Sequence, residues 1–453
     1  MKEKIPQCNI RFADPRKLAK PLQRGTTMKS ITQNTKIVAI TEKTLVIGID
    51  VGSETHYARA FNWRNYEFSR KPLEFSNTEE GFETFRIWIE ELKARYGMEK
   101  VIPGMEPTGH YWFNLGKFLQ DKGMKPVHVN PHHVKKSKEL DDNNPSKNDR
   151  KDPKVIAALV NEGRYLYPYI PDGVYAEIRV LSGLRTRAQS EITRLKNQIA
   201  RWFSIYFPNY KDVYGNVGAV SGLIILKVAP LPQDIVKLGV EGVNRIWREA
   251  KVRGAGMRRA KTLIKAAEHS IGNREAQDAA RIELQILLSD YELQTAREAE
   301  LLELIEKKIT EVPYVDKLLE IKGIGLKTVI GFVAEVGDIK RFDDPRQIQK
   351  LAGYAIAKNE SGKHKGESHI SYRGRKRLRY VLYEAAVSVV SHSPEFKSIH
   401  QYYTRREKNP LKKMQSLIAV ACKLIRVFYL ILRTGATYDS SKLMGDIRRP
   451  SAI

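Results

Sequence analysis

Four acids stand where chemistry is expected: Asp50, Glu106, Asp149 and Asp152. Asp50 ends the apolar, β-branched run TLVIGID at 44–50, and Glu106 follows a second apolar run at 100–105. Both runs read as buried strands. Asp149 and Asp152 precede a helix predicted to begin at Pro153. Carboxylates at the carboxyl ends of neighbouring strands converge on one edge of a sheet, and hard oxygen donors gathered there suit Mg²⁺. Two such ions would stabilise the attacking and leaving oxygens of a phosphodiester displacement. Plainer readings exist for each acid. A lone Asp after a strand often caps a turn, and Asp152 before Pro153 is also an N-cap with proline at N1. Asp141 and Asp142, in an Asn/Pro-rich setting, read as loop solvation.

A second constellation lies near the other end: Asn359-Glu-Ser-Gly-Lys363, then Gly366, Ile370, the run RGRKR at 373–377 and Arg379. Ser361 by itself says little, because Ser-Gly is common in turns. Around it Lys363, Lys365, Arg373, Arg375, Lys376 and Arg379 could hold a phosphate and offset charge in a transition state. A serine hydroxyl needs a base, cation or metal to become a nucleophile. No Gly-x-Ser-x-Gly elbow is present. Sequence chemistry alone favours the plainer reading, a basic loop on a nucleic-acid backbone with a structural serine. Upstream, Lys322-Gly323-Ile-Gly325-Leu-Lys327 sets a glycine turn between two helical stretches. Such a turn can face backbone N–H groups toward a phosphate, as in helix-hairpin-helix modules, or can serve packing alone. Gly-Leu-Lys-Thr lacks the Gly-Lys-Ser/Thr adjacency of a P-loop, so nucleotide binding is excluded there.

Several elements must position these groups. Three strands with antiparallel character (44–50, 56–61 and 66–71), a helix at 79–96, a strand at 100–105, a helix at 111–122 and a strand at 126–129 describe an α/β sheet domain. Residues 135–152 read as a polar loop. From about 175 to 310 the chain is mostly helical. In 274–310 the residues Ile282, Ile286, Leu293, Ala296 and Leu304 fall at three- and four-residue steps or their multiples. That is the mark of a coiled coil or helical hairpin, joining two chains or packing on the chain's own helix at 180–203.

The chain has 453 residues with 78 Lys/Arg against 52 Asp/Glu, a formal net charge of +26. Length suggests two or three domains. The charge points to a polyanion, with nucleic acid ahead of an anionic membrane surface. Residues 1–40 read as a basic arm, solvated or following a phosphate backbone. Two cysteines, Cys8 and Cys422, cannot form a disulfide framework. The apolar stretch 417–432 is interrupted by Lys423 and Arg426, which a bilayer-crossing helix tolerates poorly. No membrane span and a cytoplasmic location are expected.

The motifs GIDV at 48–51, Glu106-Pro-Thr-Gly-His-Tyr111, Val129-Asn-Pro131, Lys147-Asn-Asp149-Arg-Lys-Asp152 and Glu360-Ser-Gly-Lys363 with Gly366 and Arg377-Leu-Arg379 occur in an order typical of one family. Over about residues 44–435 the chain resembles the DEDD transposases of bacterial insertion sequences, the "IS one-ten" family, which are similar to pilin-gene inverting recombinases. The resemblance implies a RuvC-like, RNase H-like α/β domain at 41–175, a helical coiled-coil linker at 176–312 and a mainly α C-terminal transposase domain at 313–453. It implies a metal tetrad of Asp50, Glu106, Asp149 and Asp152 holding Mg²⁺ or Mn²⁺, with Ser361 as nucleophile. It further implies a phosphoserine intermediate, a dimer or tetramer with a composite active site, and a structured bridge RNA that pairs with target and donor DNA. Pro153 departs from the pattern, since the family has a small residue such as Ala there, and proline restricts Asp152 away from helical φ/ψ. A water-using metal nuclease of the junction-resolving type and a non-catalytic nucleic-acid-binding protein are the alternative functions.

Overall fold

The computed structural model describes residues 33–69, 71–107, 109–141, 152–357, 360–361, 364–365 and 369–448. The chain divides into two compact units, one ending at Tyr169 and the other starting at Ile170.

The first unit contains α1 (Gln33–Val38), β1 (Thr44–Val51), β2 (Thr55–Phe61), β3 (Leu73–Ser76), α2 (Glu79–Tyr96), β4 (Lys100–Met105), α3 (Trp112–Asp121), β5 (Val127–Val129), α4 (Pro131–Asp141), α5 (Asp152–Asn161) and β6 (Tyr165–Leu166). The sheet order is β3-β2-β1-β4-β5-β6. β1, β4 and β5 are parallel, while β2, β3 and β6 each pair antiparallel with a neighbour. Every residue of β1 is buried except half-buried Asp50, as expected for a strand covered on both faces. On one face α2 packs through Phe82 and Phe85 against His56 and Phe75, with Phe75 and Phe85 stacked at 4.5 Å. α5 lies on the other face.

Three local features differ from the sequence expectations. Among the described residues, the return strand read at 66–71 makes a single bridge, Phe61↔Glu67, and pairing resumes as β3 at Leu73. Pro72 intervenes, and proline has no N–H for a ladder. The loop read at 135–152 is helical as far as Asp141. Asn130 starts that helix by accepting the His132 N–H at 2.9 Å on Oδ1, with Pro131 in the first turn and Val134 buried. The end of the basic arm is folded: α1 donates from Gln33 to the Glu162 carbonyl at 2.9 Å and from Lys36 to the Tyr165 carbonyl. Residues 1–32 of the arm lie outside the described residues.

The second unit is mainly helical. It comprises α6 (Gly173–Tyr206), α7 (Tyr210–Val213), α8 (Val220–Val228), α9 (Pro232–Glu249), α10 (Met257–Glu268), α11 (Gln277–Ile309), α12 (Val315–Leu319), α13 (Leu326–Val336), α14 (Pro345–Leu351), the short strands β7 (Ile356–Ala357), β8 (Glu360–Ser361), β9 (His364–Lys365) and β10 (His369–Ile370), then α15 (Lys376–His392), α16 (Pro394–Arg405), α17 (Lys413–Thr434) and α18 (Ser440–Arg448). α6 and α11 run antiparallel, joined by Trp202 to the Ala280 carbonyl at 2.9 Å near one end and Lys308 to Glu177 at 2.8 Å near the other. The face of α11 that packs is Ala280, Leu284, Leu287, Leu288, Ile305 and Ile309. The residues singled out by sequence spacing, Ile282, Ile286, Leu293 and Leu304, are 41–58% exposed. The helix carries two apolar stripes, and periodicity alone does not say which one is covered.

Two apolar cores organise this unit. One gathers residues of α6 to α11 around Trp202 and Trp247, and the other gathers α12 to α17, with Ile178 of α6 and Ile305 and Ile309 of α11, around Phe332 and Phe428. α17 is long and apolar enough to cross a membrane by length and composition, but half of its most apolar window is buried in the second core. Lys423, within it, is 7% exposed.

Candidate active site

The acids of the first unit are positioned by strand register. Ile49 pairs with Met105 across the parallel β1–β4 ladder, so Asp50 and Glu106 follow at the same level on adjacent strands. Two residues earlier Gly48 pairs with Gly104. Because side chains alternate along a strand, each glycine shares a face with its acid. That face is the one α5 covers. A Cβ on Gly48 would stand 1.7 Å from the Pro153 carbonyl oxygen, and one on Gly104 would stand 2.5 Å from Val160 Cγ2. The paired glycines therefore let α5 lie directly on the strands, and its first residue is Asp152. One stretch of helix and two strand ends bring Asp50, Glu106 and Asp152 to one face at one end of the sheet.

The electrostatics couple Glu106 with Asp152 and Lys138. The Glu106 carboxyl is pushed above the usual range, chiefly by burial and also by the neighbouring charge of Asp152, while Lys138 acts in the opposite direction. Lys138, on α4, forms an ion pair with Asp152, whose side chain is 13% exposed. Asp50 is half-buried and engaged in a polar interaction of its own. A cation among half-buried carboxylates is the arrangement a divalent ion would replace, with all-oxygen donors suited to Mg²⁺ or Mn²⁺. Among the described residues, no three His, Cys, Asp or Glu side chains stand close enough together to hold an ion. Asp149 lies outside the described residues. Lys138 was not singled out in the sequence; its signal was the lysine run at 135–138 beside the acids.

In the second unit Ser361 pairs with His364, and Glu360 with Lys365, in the β8–β9 hairpin. Lys363 lies outside the described residues. The base of this segment is closed by β7–β10 pairing and by backbone bonds from Ser371 to Ala355 at 2.7 Å and from Arg375 to Leu351 at 2.7 Å. The basic residues nearby divide into two groups. Arg373 and Lys376 are exposed. Arg375 and Arg379, expected to meet phosphates, bond to the protein itself. Arg379 donates to the carbonyls of Ala352 at 3.0 Å and Tyr372 at 3.3 Å and lies over the Tyr372 ring, while Arg375 donates to the Glu335 carbonyl and faces its carboxylate at 3.6 Å. These two arginines clamp the base of the Ser361 segment.

Behind the clamp is a polar cluster that sequence reading missed. Arg377 donates to Ser182 Oγ at 2.7 Å and lies 3.9 Å from Glu335, and buried Arg185 pairs with Glu298 at 2.5 Å. Burial, outweighing Glu335, holds the Arg377 guanidinium below its ordinary range, with Arg185 adding repulsion. The cluster ties α6, α11, α13 and α15 together.

At the glycine turn, Lys322, Gly325 and Lys327 are exposed. Gly323, by contrast, has φ +94° and packs on α15, where a Cβ would meet Val389 Cα at 2.9 Å, and its carbonyl accepts from Ser388 Oγ at 2.7 Å. Packing thus accounts for Gly323. Burial pushes the Cys422 thiol up to about 11, so it is no competing nucleophile.

Residues 47–208 match the DEDD transposase model of the IS110 family, and residues 315–401 match the transposase model of the IS116/IS110/IS902 family. The first match spans all four acids and the second spans Ser361. An IS110 insertion-element protein of Streptomyces coelicolor is 22% identical over 419 residues, 87% of this chain and 95% of its own length. An IS900 insertion-element protein of Mycobacterium paratuberculosis is 25% identical over 298 residues, 64% of this chain and 73% of its own. The pilin gene-inverting protein of Moraxella bovis is 32% identical over 124 residues, 27% of this chain and 38% of its own. With two models of one family matching in order over more than half of its length, this chain belongs to the IS110 family of transposases.

Proposed function

We infer that this transposase moves DNA strands by attack of Ser361 on a phosphodiester, assisted by a divalent ion among Asp50, Glu106, Asp149 and Asp152. The observation that supports the reading is the register Gly48↔Gly104, which seats α5, begun by Asp152, on the two strands that lead into Asp50 and Glu106. The strand order, with parallel β1, β4 and β5 and an antiparallel β1–β2–β3 meander, supports an RNase H-like, RuvC-like domain. The domain bounds 41–175, 176–312 and 313–453 after a basic arm at 1–40 belong to this reading. The helical unit has two cores, but Ile178, Ile305 and Ile309 of the 176–312 segment pack in the core of the C-terminal region, and the break between units falls at 169/170.

Bound Mg²⁺ or Mn²⁺ would polarise the scissile phosphate and stabilise the leaving oxygen. The four carboxylates would hold such an ion, in the place that Lys138 takes beside Asp152. The Ser361 oxygen forms a new bond to phosphorus as the bridging P–O bond breaks, and its proton passes to solvent or a base. The departing strand's oxygen takes a proton from solvent and leaves as a hydroxyl. Because one phosphodiester replaces another, the reverse attack by a strand hydroxyl reseals DNA without ATP. A composite site in a dimer or tetramer is supported by the exposed Ile282, Ile286 and Leu293 on α11. Guidance by a bridge RNA fits the net charge of +26, and a cytoplasmic setting fits a chain with two cysteines.

The test is a covalent-adduct assay on element-end DNA. Ser361→Ala abolishes the protein–DNA adduct while leaving DNA and RNA binding intact, and Asp50→Asn abolishes adduct and strand exchange together. Cleavage that persists in Ser361→Ala with protein-free ends overturns the serine in favour of water. Full strand exchange by Asp50→Asn removes the carboxylates from the mechanism.

A further inference from the structure

The end of the sheet opposite the acids carries another constellation. β2 runs antiparallel to β1 and away from Asp50, so the turn 62–66 lies just beyond the Val46↔Phe61 pair, at the amino end of β1. This turn reads Asn62-Trp63-Arg64-Asn65-Tyr66. Trp63 is 41% exposed and Tyr66 67% exposed. The Arg64 guanidinium sits 4.4 Å from the Trp63 ring centroid. Tyr66 meets Phe68 edge-on at 5.9 Å, and Phe68 stacks on Tyr96 at 4.1 Å. One short turn therefore presents two exposed aromatic rings and a cation.

The turn is rigid. Asn62 Oδ1 accepts the backbone N–H groups of Arg64 and Tyr66, both at 2.9 Å. Asn65 takes φ +61°, a left-handed conformation that asparagine tolerates better than most residues. The amide of Asn161, the last residue of α5, donates to the Asn62 carbonyl at 2.9 Å and to Asn65 Oδ1 at 2.6 Å. Single exposed aromatics need no explanation. A turn locked by a distant helix so that Trp, Arg and Tyr face water is a different matter, because none of this contributes to the core. Preorganised aromatic faces beside a cation suit a flat π-surface with an adjoining negative charge, which is an unpaired nucleotide. The clamping helix is the one that begins with Asp152, about 14 Å away along its axis.

We propose that the 62–66 turn is a stacking site for single-stranded nucleic acid. Trp63 and Tyr66 take bases, Arg64 takes the adjoining phosphate, and α5 holds the strand at a fixed distance from the acids. This rests on the nucleic-acid partner of the proposed function and not on the serine chemistry, so an adduct assay and a binding assay fail independently.

The test is fluorescence anisotropy with the full chain and three labelled probes of equal length: oligouridylate, oligothymidylate and a blunt DNA duplex. Trp63→Ala/Tyr66→Ala weakens single-strand binding by about 10- to 100-fold, with the salt slope nearly unchanged because most phosphate contacts remain. Trp63→Phe/Tyr66→Phe restores most of the loss, and Asn161→Ala, which loosens the turn and keeps the rings, gives an intermediate loss. Duplex binding stays as in the wild type. The single-stranded probe with the larger loss identifies RNA or DNA as the source. The proposal is overturned by undiminished binding in the alanine pair, by equal losses on duplex and single strand, by a wild type that binds no single strand, or by a changed sedimentation coefficient marking the turn as a protein contact. Circular dichroism matching the wild type shows that each variant is folded.

Discussion

Gly48 shows how one residue sets the candidate site. A methyl group there would lie 1.7 Å from a backbone oxygen, and backbone cannot rotate away as a side chain can. Gly48→Ala should lift the first turn of α5 and cost about 3 kcal/mol or more, read as a lowered urea midpoint. Gly183→Ala, in α6 with nothing within 4 Å of the added carbon, is the control and should stabilise by about 0.5–1 kcal/mol. In the sequence Gly48 belongs to the GIDV motif that contains Asp50. Its reason for being glycine is visible only once β4 and α5 are placed. Arg375 and Arg379 teach the converse. Their charge was legible and suggested phosphate, but they donate to the carbonyls of Glu335, Ala352 and Tyr372, and a half-buried clamp is the result.

Among the elements, β5 and α3 supply a measurable pH dependence. His128, on β5, lies edge-on to Trp112 at 4.1 Å, and its Nε2 is buried without a hydrogen bond. Burial lowers its pKa to about 4. The unfolded chain, with an ordinary histidine, binds the proton first, so stability is lost as pH falls below about 6.5 and the loss levels off near 4. The full shift amounts to about 3 kcal/mol. Urea denaturation across that window should show a flatter profile for His128→Leu than for the wild type, with buried His56 responsible for part of the remaining slope. Strand and helix existence was largely legible, because β1, β4 and α2 have clear apolar patterns. The covered face of α11 was not, since Ile282, Ile286 and Leu293 form as regular a stripe as Leu284, Leu287 and Leu288. Helical periodicity states that a face is apolar and not what covers it.

For the whole molecule, the net charge of +26 sets the binding regime. Affinity for nucleic acid should fall by about 10³-fold or more between about 50 and 200 mM salt if six or more phosphates are neutralised. A titration of log affinity against log salt checks this, and a flat line would mean that the charge does not serve binding. Composition, charge, the strand-terminal acids and the order of motifs are properties of the chain itself, and they determined family, fold class and the candidate acids before any folding. The tertiary structure decided which glycines seat α5, that Lys138 neutralises Asp152, which arginines clamp the Ser361 segment and how Asn161 fixes the aromatic turn. Each depends on contacts between residues far apart in sequence, and one chain read in order records the identity of both partners without recording that they meet.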